Sequence, residues 1–158
     1  MVDIFNKEKR SQVMSQIRAS KNKTTELALI SSFKEFGITG WRRGSKMTGK
    51  PDFIFQKLKT TVFVDGCFWH GHECQKRMPK TNEDFWLSKI TRNRQRDEEV
   101  SKTLKDKGWH VIRIWECELK RKNEGLLLKK LDPLVPKTKH RVFQKFSIGI
   151  RRLFKMTE

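Results

Sequence analysis

Residues 51–66, "PDFIFQKLKTTVFVDG", decide how this chain is expected to fold. "PDFIF" begins with Pro51, which is tolerated at the start of a strand. "TTVFVDG" is rich in the β-branched and aromatic residues that are typical of a central strand. The link "QKLK" is short enough for a hairpin. The stretch therefore predicts two neighbouring strands inside a sheet.

A helix is predicted before the hairpin, in "TTELALISSFKEFG" (residues 24–37). Thr24 is a candidate N-cap residue and Gly37 a candidate end of the helix. The apolar face that helical spacing predicts consists of Leu27, Ile30, Phe33 and Phe36. "ITGWRR", residues 38–43, follows as a short predicted strand.

Three further elements are predicted after the hairpin. A long helix is expected within residues 79–108, with Thr81 and Asp84 spaced as a capping box. "WHVIRIWE", residues 109–116, predicts a third strand, and "NEGLLLKKLD", residues 123–132, a last helix. The order of elements indicates an α/β fold, a mixed sheet flanked by helices.

Composition narrows the class of partner. The 158 residues include 36 Lys and Arg against 18 Asp and Glu, a net charge of +18. This excess favours nucleic acid, because binding to phosphates releases counterions; an anionic membrane surface is the second possibility. No apolar run approaches the ~20 residues of a membrane span, and the N-terminus lacks the apolar core of a signal peptide. A cytoplasmic protein without a membrane is therefore expected.

The length suits a single domain, which we place at residues 1–136. Residues 137–158 form a basic, amphipathic C-terminal extension. Its apolar residues can share one helix face while Lys and Arg cover the rest: Phe143, Phe146, Ile150 and Phe154. We favour packing of this extension on the domain, with incidental DNA contact, over a dedicated DNA or membrane arm.

Metal-ligating residues crowd into the stretch "VDGCFWHGHEC". Zinc takes four Cys or His ligands, and this stretch offers Cys67, Cys74 and a choice between His70 and His72. Cys117 completes the set if the second and third strands are neighbours. Cysteines in an intracellular protein are better metal ligands than disulfide partners. The alternative is that Cys117 is a buried core thiol and the other cysteines are incidental.

Acidic residues mark a second candidate metal site. Asp52 begins one strand of the hairpin and Asp65 ends the other, so their carboxylates can share a Mg²⁺ ion. Such an ion can polarise a phosphate and activate a water molecule. Glu26, on the first helix, can join as a further acid. The alternative is that an Asp next to Pro or Gly belongs to an ordinary turn.

Four segments, "GKPDFIF", "VFVDGCFWHGHEC", "DFWLSKITRN" and "GWHVIRIWECEL", resemble the very short patch repair (Vsr) family of DNA mismatch endonucleases. The resemblance covers roughly residues 5 to 120. It implies the PD-(D/E)xK restriction-endonuclease-like fold and a Mg²⁺-dependent enzyme that nicks one strand of double-stranded DNA beside the thymine of a T:G mismatch. Such mismatches arise when 5-methylcytosine is deaminated.

The same resemblance implies a biological setting. Family members are similar in working beside mismatch-repair proteins and a DNA cytosine methyltransferase. A bacterial protein, associated with the nucleoid through DNA, is therefore expected. Because nicking one strand needs one active site, we also expect a monomer.

The resemblance implies roles for individual residues. Asp52 is expected to bind the catalytic metal together with the backbone carbonyl of Val64, and His70 to act as a general base or acid. Glu26 matches an acid near the active site, and Asp97 could orient a histidine. The implied structural zinc ligands are Cys67, His72, Cys74 and Cys117.

Two positions depart from the best-known form of the family. Asp65 stands where that form has His, and Val64 where it has Thr. Asp65 could restore the two-carboxylate metal site of the wider superfamily. The superfamily lysine falls on Cys67, so His70 is expected to do what lysine does elsewhere.

Aromatic residues are candidate probes of a mismatch. Apolar wedges can enter between base pairs, and a mismatched pair is already poorly stacked. The residues alone favour core packing for Phe68 and Trp69, whereas the resemblance implies intercalation. The resemblance adds further DNA contacts at Trp86, Met14 and Ile17. Lys89 and Asn93 lie one helical turn apart and either grip phosphate or form a solvated helix face.

Two other functions remain open at this point. One is a restriction-type endonuclease of the same fold that has a different DNA target. The other is a non-catalytic, zinc-stabilised DNA-binding module.

Overall fold

Three helices and three strands form the part of the chain that the structure describes. The structure is a computed structural model, and it describes residues 25–44, 46–74, 79 and 82–137. In chain order the elements are α1 (Glu26–Phe36), β1 (Phe53–Phe55), β2 (Thr60–Asp65), α2 (Glu83–Asp106), β3 (His110–Trp115) and α3 (Glu124–Leu131). Several residues with predicted roles lie outside the described residues: Met14, Ile17, the candidate caps Thr24 and Thr81, and the extension beyond residue 137.

The three strands form one mixed sheet in the order β1-β2-β3. β1 and β2 are antiparallel and form the predicted hairpin, with Phe53 opposite Val62. β2 and β3 are parallel, with Val64 opposite Ile114. Parallel neighbours need a long crossover connection, and α2 supplies it. The predicted α/β class, with a mixed sheet and helices, is confirmed.

The two faces of the sheet are chemically different. Alternation along the strands directs Val62 and Ile114 into the hydrophobic core, which α1 and α3 complete. The same alternation directs Asp65 and Arg113 to the opposite face, where Arg113 reaches Ser101 on α2. The polar side chains of the candidate site therefore lie between the sheet and α2.

The first helix differs from its prediction in which residues it buries. Its buried apolar residues are Leu29, Phe33 and Phe36. Leu27, which was predicted on that face, is 37% exposed, because the buried stripe passes through Leu29 instead. Gly37 ends the helix in a left-handed conformation, as predicted, with φ of 68°.

One local prediction is wrong. "ITGWRR" contributes one isolated bridge, in which Arg42 exchanges two 2.9 Å hydrogen bonds with Ile54, and not a full strand. Asn82 takes the N-cap position of α2, and the predicted capping box with Asp84 stays a prediction because Thr81 lies outside the described residues. α2 is a continuous helix of 24 residues. Within the described ranges, no helix is both long enough and apolar enough to cross a membrane.

Candidate active site and cysteine cluster

Asp52 lies at the start of β1, beside the middle of the sheet. Its Oδ2 accepts a 2.8 Å hydrogen bond from the backbone N–H of Val64. Burial raises the pKa of Asp52 to about 6. The neighbouring carboxylates of Glu26 and Asp65 add to this rise, while the Val64 N–H and the Arg43 guanidinium oppose it. Burial and the neighbouring acids therefore favour the protonated form of Asp52 more than the Val64 N–H and Arg43 favour its ionised form.

Glu26 supports this acidic centre from α1. Its side chain is buried and forms an ion pair with Arg43. The Arg43 guanidinium also lies 5.9 Å from the ring centroid of Phe53, the first residue of β1. The first helix is thus tied to the strand that carries Asp52.

His70 lies between two carboxylates in the loop after β2. Its Nδ1 is hydrogen-bonded to Oδ2 of Asp97 on α2. Its Nε2 is 3.9 Å from Oδ1 of Asp65. Partial burial would raise the pKa of Asp97, but the His70 hydrogen bond and the Arg113 charge lower it overall. The arrangement holds the imidazole at one nitrogen and leaves the other facing Asp65.

Arg113 is a site residue that the sequence reasoning missed. Its guanidinium lies 2.6 Å from Oδ2 of Asp65 and 3.2 Å from Oδ1 of Asp97. Its Nε donates a 3.2 Å hydrogen bond to the hydroxyl of Ser101. Burial raises the pKa of Asp65, and Arg113 and His70 oppose this rise. One signal could have indicated Arg113: it is a charged residue between two isoleucines in a β-strand.

A cleft of about 810 Å³ opens beside this group. Asp65, His70, Asp97 and Arg113 line one part of it, and basic side chains from α2 line another part: Arg94, Lys102 and Lys105. Glu73, Glu98 and Asp106 line the cleft as well, so a phosphate that contacts these basic side chains would also lie near several acids. Asp52 does not line this cleft.

The acidic residues separate into two groups. Asp65, His70 and Asp97 place ligand atoms within 4.8 Å of one another, and Asp52 does not belong to that group. Mg²⁺ prefers carboxylate, water and phosphate oxygens, and burial raises the pKa of both Asp52 and Asp65, so a cation would stabilise the ionised form of either acid. Asp65 fits less well, since its Oδ2 already contacts a guanidinium.

Four soft ligands meet on the other side of the loop. One ligand atom each from Cys67, His72, Cys74 and Cys117 lies within 4.8 Å of the others. The backbone N–H of Cys117 donates to Sγ of Cys67 at 3.4 Å, and Nδ1 of His72 lies 3.6 Å from Sγ of Cys117. Cys117 arrives here because β2 and β3 are parallel neighbours. His70 is not part of this cluster.

The chemistry of the cysteine cluster fits a bound zinc ion. Burial raises the pKa of Cys67 to about 12, and it also raises that of Cys117. Two such thiols stay protonated unless a cation stabilises the thiolates, and zinc deprotonates coordinating thiols. The ring of His72 rests against Trp115, with 4.4 Å between ring centroids, which fixes its orientation.

The loop also presents a group of aromatic rings. Ring centroids lie 5.2 Å apart for Phe68 and Trp69, 5.3 Å for Phe68 and Trp86, and 5.9 Å for Trp69 and Trp86. The ammonium of Lys89 lies 5.2 Å from the Trp69 ring centroid. Phe85, beside Trp86, is 57% exposed. These rings form a half-exposed surface capped by a positive charge, and not a closed core.

α2 holds the backbone of this loop. The side-chain amide of Asn93 donates a 2.7 Å hydrogen bond to the carbonyl of Trp69. The Arg94 guanidinium donates to the carbonyls of His70, at 3.1 Å, and of Gly71. Asn93 was predicted either to grip phosphate or to lie on a solvated helix face, and in the structure its amide is engaged with the loop.

Comparisons with known proteins give a consistent result. A protein-family model described as "DNA mismatch endonuclease Vsr" matches residues 2–76. The type II nicking enzyme V.NmeAIP of Neisseria meningitidis serogroup A is 43% identical over 144 residues, which are 90% of this chain and 100% of that protein. The DNA mismatch endonuclease Vsr of Escherichia coli is 35% identical over 76% of this chain and 77% of its own length. The type II nicking enzyme V.NaeI of Lentzea aerocolonigenes is 40% identical over 69% of this chain and 68% of its own length.

Proposed function

Because this chain belongs to the Vsr family of DNA mismatch endonucleases, we propose that it nicks one strand of double-stranded DNA beside the thymine of a T:G mismatch. An endonuclease acting on DNA follows from the family itself. The T:G target, the repair of deaminated 5-methylcytosine and the dependence on Mg²⁺ belong to the proposal. So do the PD-(D/E)xK fold, the monomeric state and the domain limits at residues 1–136 and 137–158.

The observation that carries the proposal is the position of His70. Asp97 holds Nδ1, so this nitrogen carries the proton and Nε2 has a free lone pair in the neutral ring. Nε2 lies 3.9 Å from Oδ1 of Asp65, and both residues line the cleft that also holds Arg113 and Lys102. We assign His70 as the general base or acid, and Asp97 as the residue that orients it and stabilises its charged form.

Asp52 is the proposed ligand of the catalytic Mg²⁺, with the backbone carbonyl of Val64 as a second ligand. When bound, the ion supplies Lewis acidity toward the scissile phosphate and a lower pKa for the attacking water. Asp52 contributes an ionised carboxylate, and Glu26 keeps the local potential negative. Cys67 stands at the superfamily lysine position but belongs to the cysteine cluster, so His70 covers the proton transfer.

The cysteine cluster is the proposed structural zinc site, with Cys67, His72, Cys74 and Cys117 as ligands. Its role is to fix a loop that has little regular structure of its own. Phe68 and Trp69 lie between two of these ligands in sequence, so the metal would fix the direction of both rings. A rigid wedge loses less entropy when it enters the base stack.

The aromatic surface is the proposed mismatch reader. Phe68, Trp69 and Trp86 would insert at the mismatched step, where less stacking energy is lost. Lys89, above the Trp69 ring, would contact phosphate. Met14 and Ile17, outside the described residues, would lie against the opposite groove. Mismatch-repair proteins and a DNA cytosine methyltransferase are the proposed partners, and the bacterial cytoplasm and nucleoid the proposed location.

The decisive experiment compares duplexes that differ only in the mismatch. The zinc-loaded protein is incubated with Mg²⁺ and either a T:G duplex or its matched C:G counterpart, over a set of flanking sequences. We expect a nick on one strand of the T:G duplex alone. Equal cutting of both duplexes would favour a restriction-type enzyme, and no cutting of either would favour a binding module.

A further inference from the structure

We propose that Arg113 is a built-in cation that takes the place of a second metal ion, so that Asp65 is a positioning residue and binds no divalent metal. The guanidinium would hold Asp65 and Asp97 in the arrangement that aligns His70. The assignment of His70 as the reacting base rests on the proposed function. The occupation of the carboxylates by Arg113 does not.

The guanidinium of Arg113 contacts the carboxylates of Asp65 and Asp97 at the same time, and this three-residue arrangement is named the clamp. One terminal nitrogen lies 2.6 Å from Oδ2 of Asp65, and the other lies 3.2 Å from Oδ1 of Asp97. The second nitrogen also donates to the backbone carbonyl of Asp97 at 3.4 Å, and Nε donates to Ser101. The planar guanidinium has five N–H donors in a fixed fork, so one residue can bind two carboxylates in defined directions.

The strand register places the clamp. Arg113 lies directly opposite Phe63 in the parallel β2–β3 pair. Asp65 is two residues beyond Phe63 and therefore projects from the same face of the sheet. The guanidinium carbon lies 4.7 Å from the Phe63 ring centroid. Lys130 of α3 donates a 2.8 Å hydrogen bond to the Arg113 carbonyl, so the backbone here is also held.

Charge explains why the clamp excludes a metal from Asp65. The Asp65 side chain is 7% exposed and that of Asp97 is 16% exposed, and both approach His70. Two carboxylates at one imidazole form a group that would attract a cation. Arg113 already supplies this charge inside the group. A divalent ion on Asp65 would lie next to a guanidinium that contacts the same carboxylate, and like charges repel.

Among the described residues, Asp52 forms no ion pair with an arginine or lysine. It receives a backbone N–H at Oδ2, and the Arg43 guanidinium is ion-paired with Glu26. The structure thus separates an acid that is suited to bind a metal from a pair of acids that share an arginine. Asp65 therefore does not restore the two-carboxylate metal site that the sequence suggested.

Calcium binding tests the clamp without any catalytic readout. Ca²⁺ prefers oxygen ligands and does not compete for thiolates, so it can be titrated calorimetrically into the zinc-loaded protein. We expect Asp65→Asn to bind Ca²⁺ like the parent, and Arg113→Met to gain a site that Arg113→Met/Asp65→Asn lacks. Arg121→Met, an exposed arginine in a distant turn, controls for the loss of one positive charge and should gain no site. Loss of a bound Ca²⁺ in Asp65→Asn would overturn the proposal.

Single-turnover nicking then tests the positioning role. We expect Arg113→Met to lower the nicking rate by about 10- to 100-fold while DNA affinity stays within about twofold, as removal of a residue supporting a reactive group does. Arg113→Lys should recover part of the rate, because it keeps the charge but loses the fork. An unchanged rate in Arg113→Met would contradict this role.

Different results would refute the proposed nicking function and the proposed role of Arg113. If the parent protein nicks no T:G duplex, the proposed function is wrong, and the calcium titrations still decide whether Arg113 occupies Asp65. If Arg113→Met does not fold, the comparison of the parent with Asp65→Asn decides the metal question, and Arg113→Lys decides the positioning role. A rate for Arg113→Lys equal to that of the parent would show that the fork is dispensable.

Discussion

The two acidic centres beside β2 show how similar carboxylates acquire different properties. Burial, with smaller contributions from the acids Glu26 and Asp65, raises the pKa of Asp52 to about 6. Asp97 is also partly buried, but His70 and Arg113 lower its pKa. Burial alone therefore does not mark a metal ligand. Asp97 differs from Asp52 in its direct contacts with both His70 and Arg113; Arg113 alone does not decide the outcome, since burial keeps the pKa of Asp65 raised beside it.

The largest expected effect concerns the loop that lies next to both centres. Cys117→Ser removes one of four proposed zinc ligands, and we expect loss of the bound zinc and of the folded state, at a cost of more than about 4 kcal/mol. Metal analysis and circular dichroism measure both. His110→Ala, which changes an exposed histidine outside the cluster, should keep about one zinc per chain. Parent protein without zinc would refute the ligand set.

The next prediction compares how the same Asp-to-Asn change at each of the two centres lowers the nicking rate. Asp52→Asn should lower the nicking rate by about 1,000-fold, since it removes the proposed metal ligand while keeping an acceptor for the Val64 N–H. Asp65→Asn should lower it by only about 10- to 100-fold, as a positioning residue. Single-turnover rates on a T:G duplex, with DNA binding measured in parallel, test this order. If Asp65→Asn proves the more damaging, the comparison between the centres is reversed.

Stability should change in opposite directions at the two centres. Because the pKa of folded Asp52 is raised from 3.8 to about 6, folding is penalised as pH rises through this range, by up to about 3 kcal/mol at pH 7. Asp52→Asn removes the penalty, so its stability relative to the parent should increase between pH 5 and pH 7. Urea unfolding of zinc-loaded protein without Mg²⁺ measures this, with the exposed Glu99→Gln as the control.

Asp97→Asn should do the reverse. The lowered pKa of Asp97 means that its ionised form stabilises the fold above the unfolded value, and that this contribution is lost as pH falls through the folded value. At pH 7 the variant should therefore be less stable, by about 1–3 kcal/mol, because charged hydrogen bonds to His70 and Arg113 are lost. Destabilisation by both Asp52→Asn and Asp97→Asn would remove the distinction between the centres.

The smallest expected effect is on mismatch discrimination, and it comes from a substitution outside both acidic centres. Trp69→Ala should reduce the preference for T:G over matched duplexes by about tenfold, with less change in binding to plain DNA, because stacking is worth about 1–3 kcal/mol per base. Leu58→Ala, an exposed apolar residue in the hairpin link, serves as the matched control. Equal losses of affinity on both duplexes would count against a mismatch-reading role.

Much of the architecture could be predicted from local pattern. β-branched runs placed the three strands, and "WEC" after the third strand predicted that Cys117 would meet the loop if the strands were neighbours. Prediction of the buried helix face and of the short strand failed, because the local sequence pattern was weak at both places. Leu27 has helical spacing but lies outside the buried stripe, and "ITGWRR" lacks enough partners to extend beyond one bridge.

The sequence by itself determined the fold class and the family and predicted two sets of metal ligands, because periodicity, composition and motif spacing are properties of short segments. Spacing left His70 and His72 as alternatives and the family resemblance implied His72. The tertiary structure brings His72 to the cysteines, and it alone decided that Arg113 reaches Asp65 across 48 positions of sequence. These contacts depend on the register of two parallel strands joined by a long helix. A shift of one residue would turn Arg113 to the other face, so no local pattern encodes the contact.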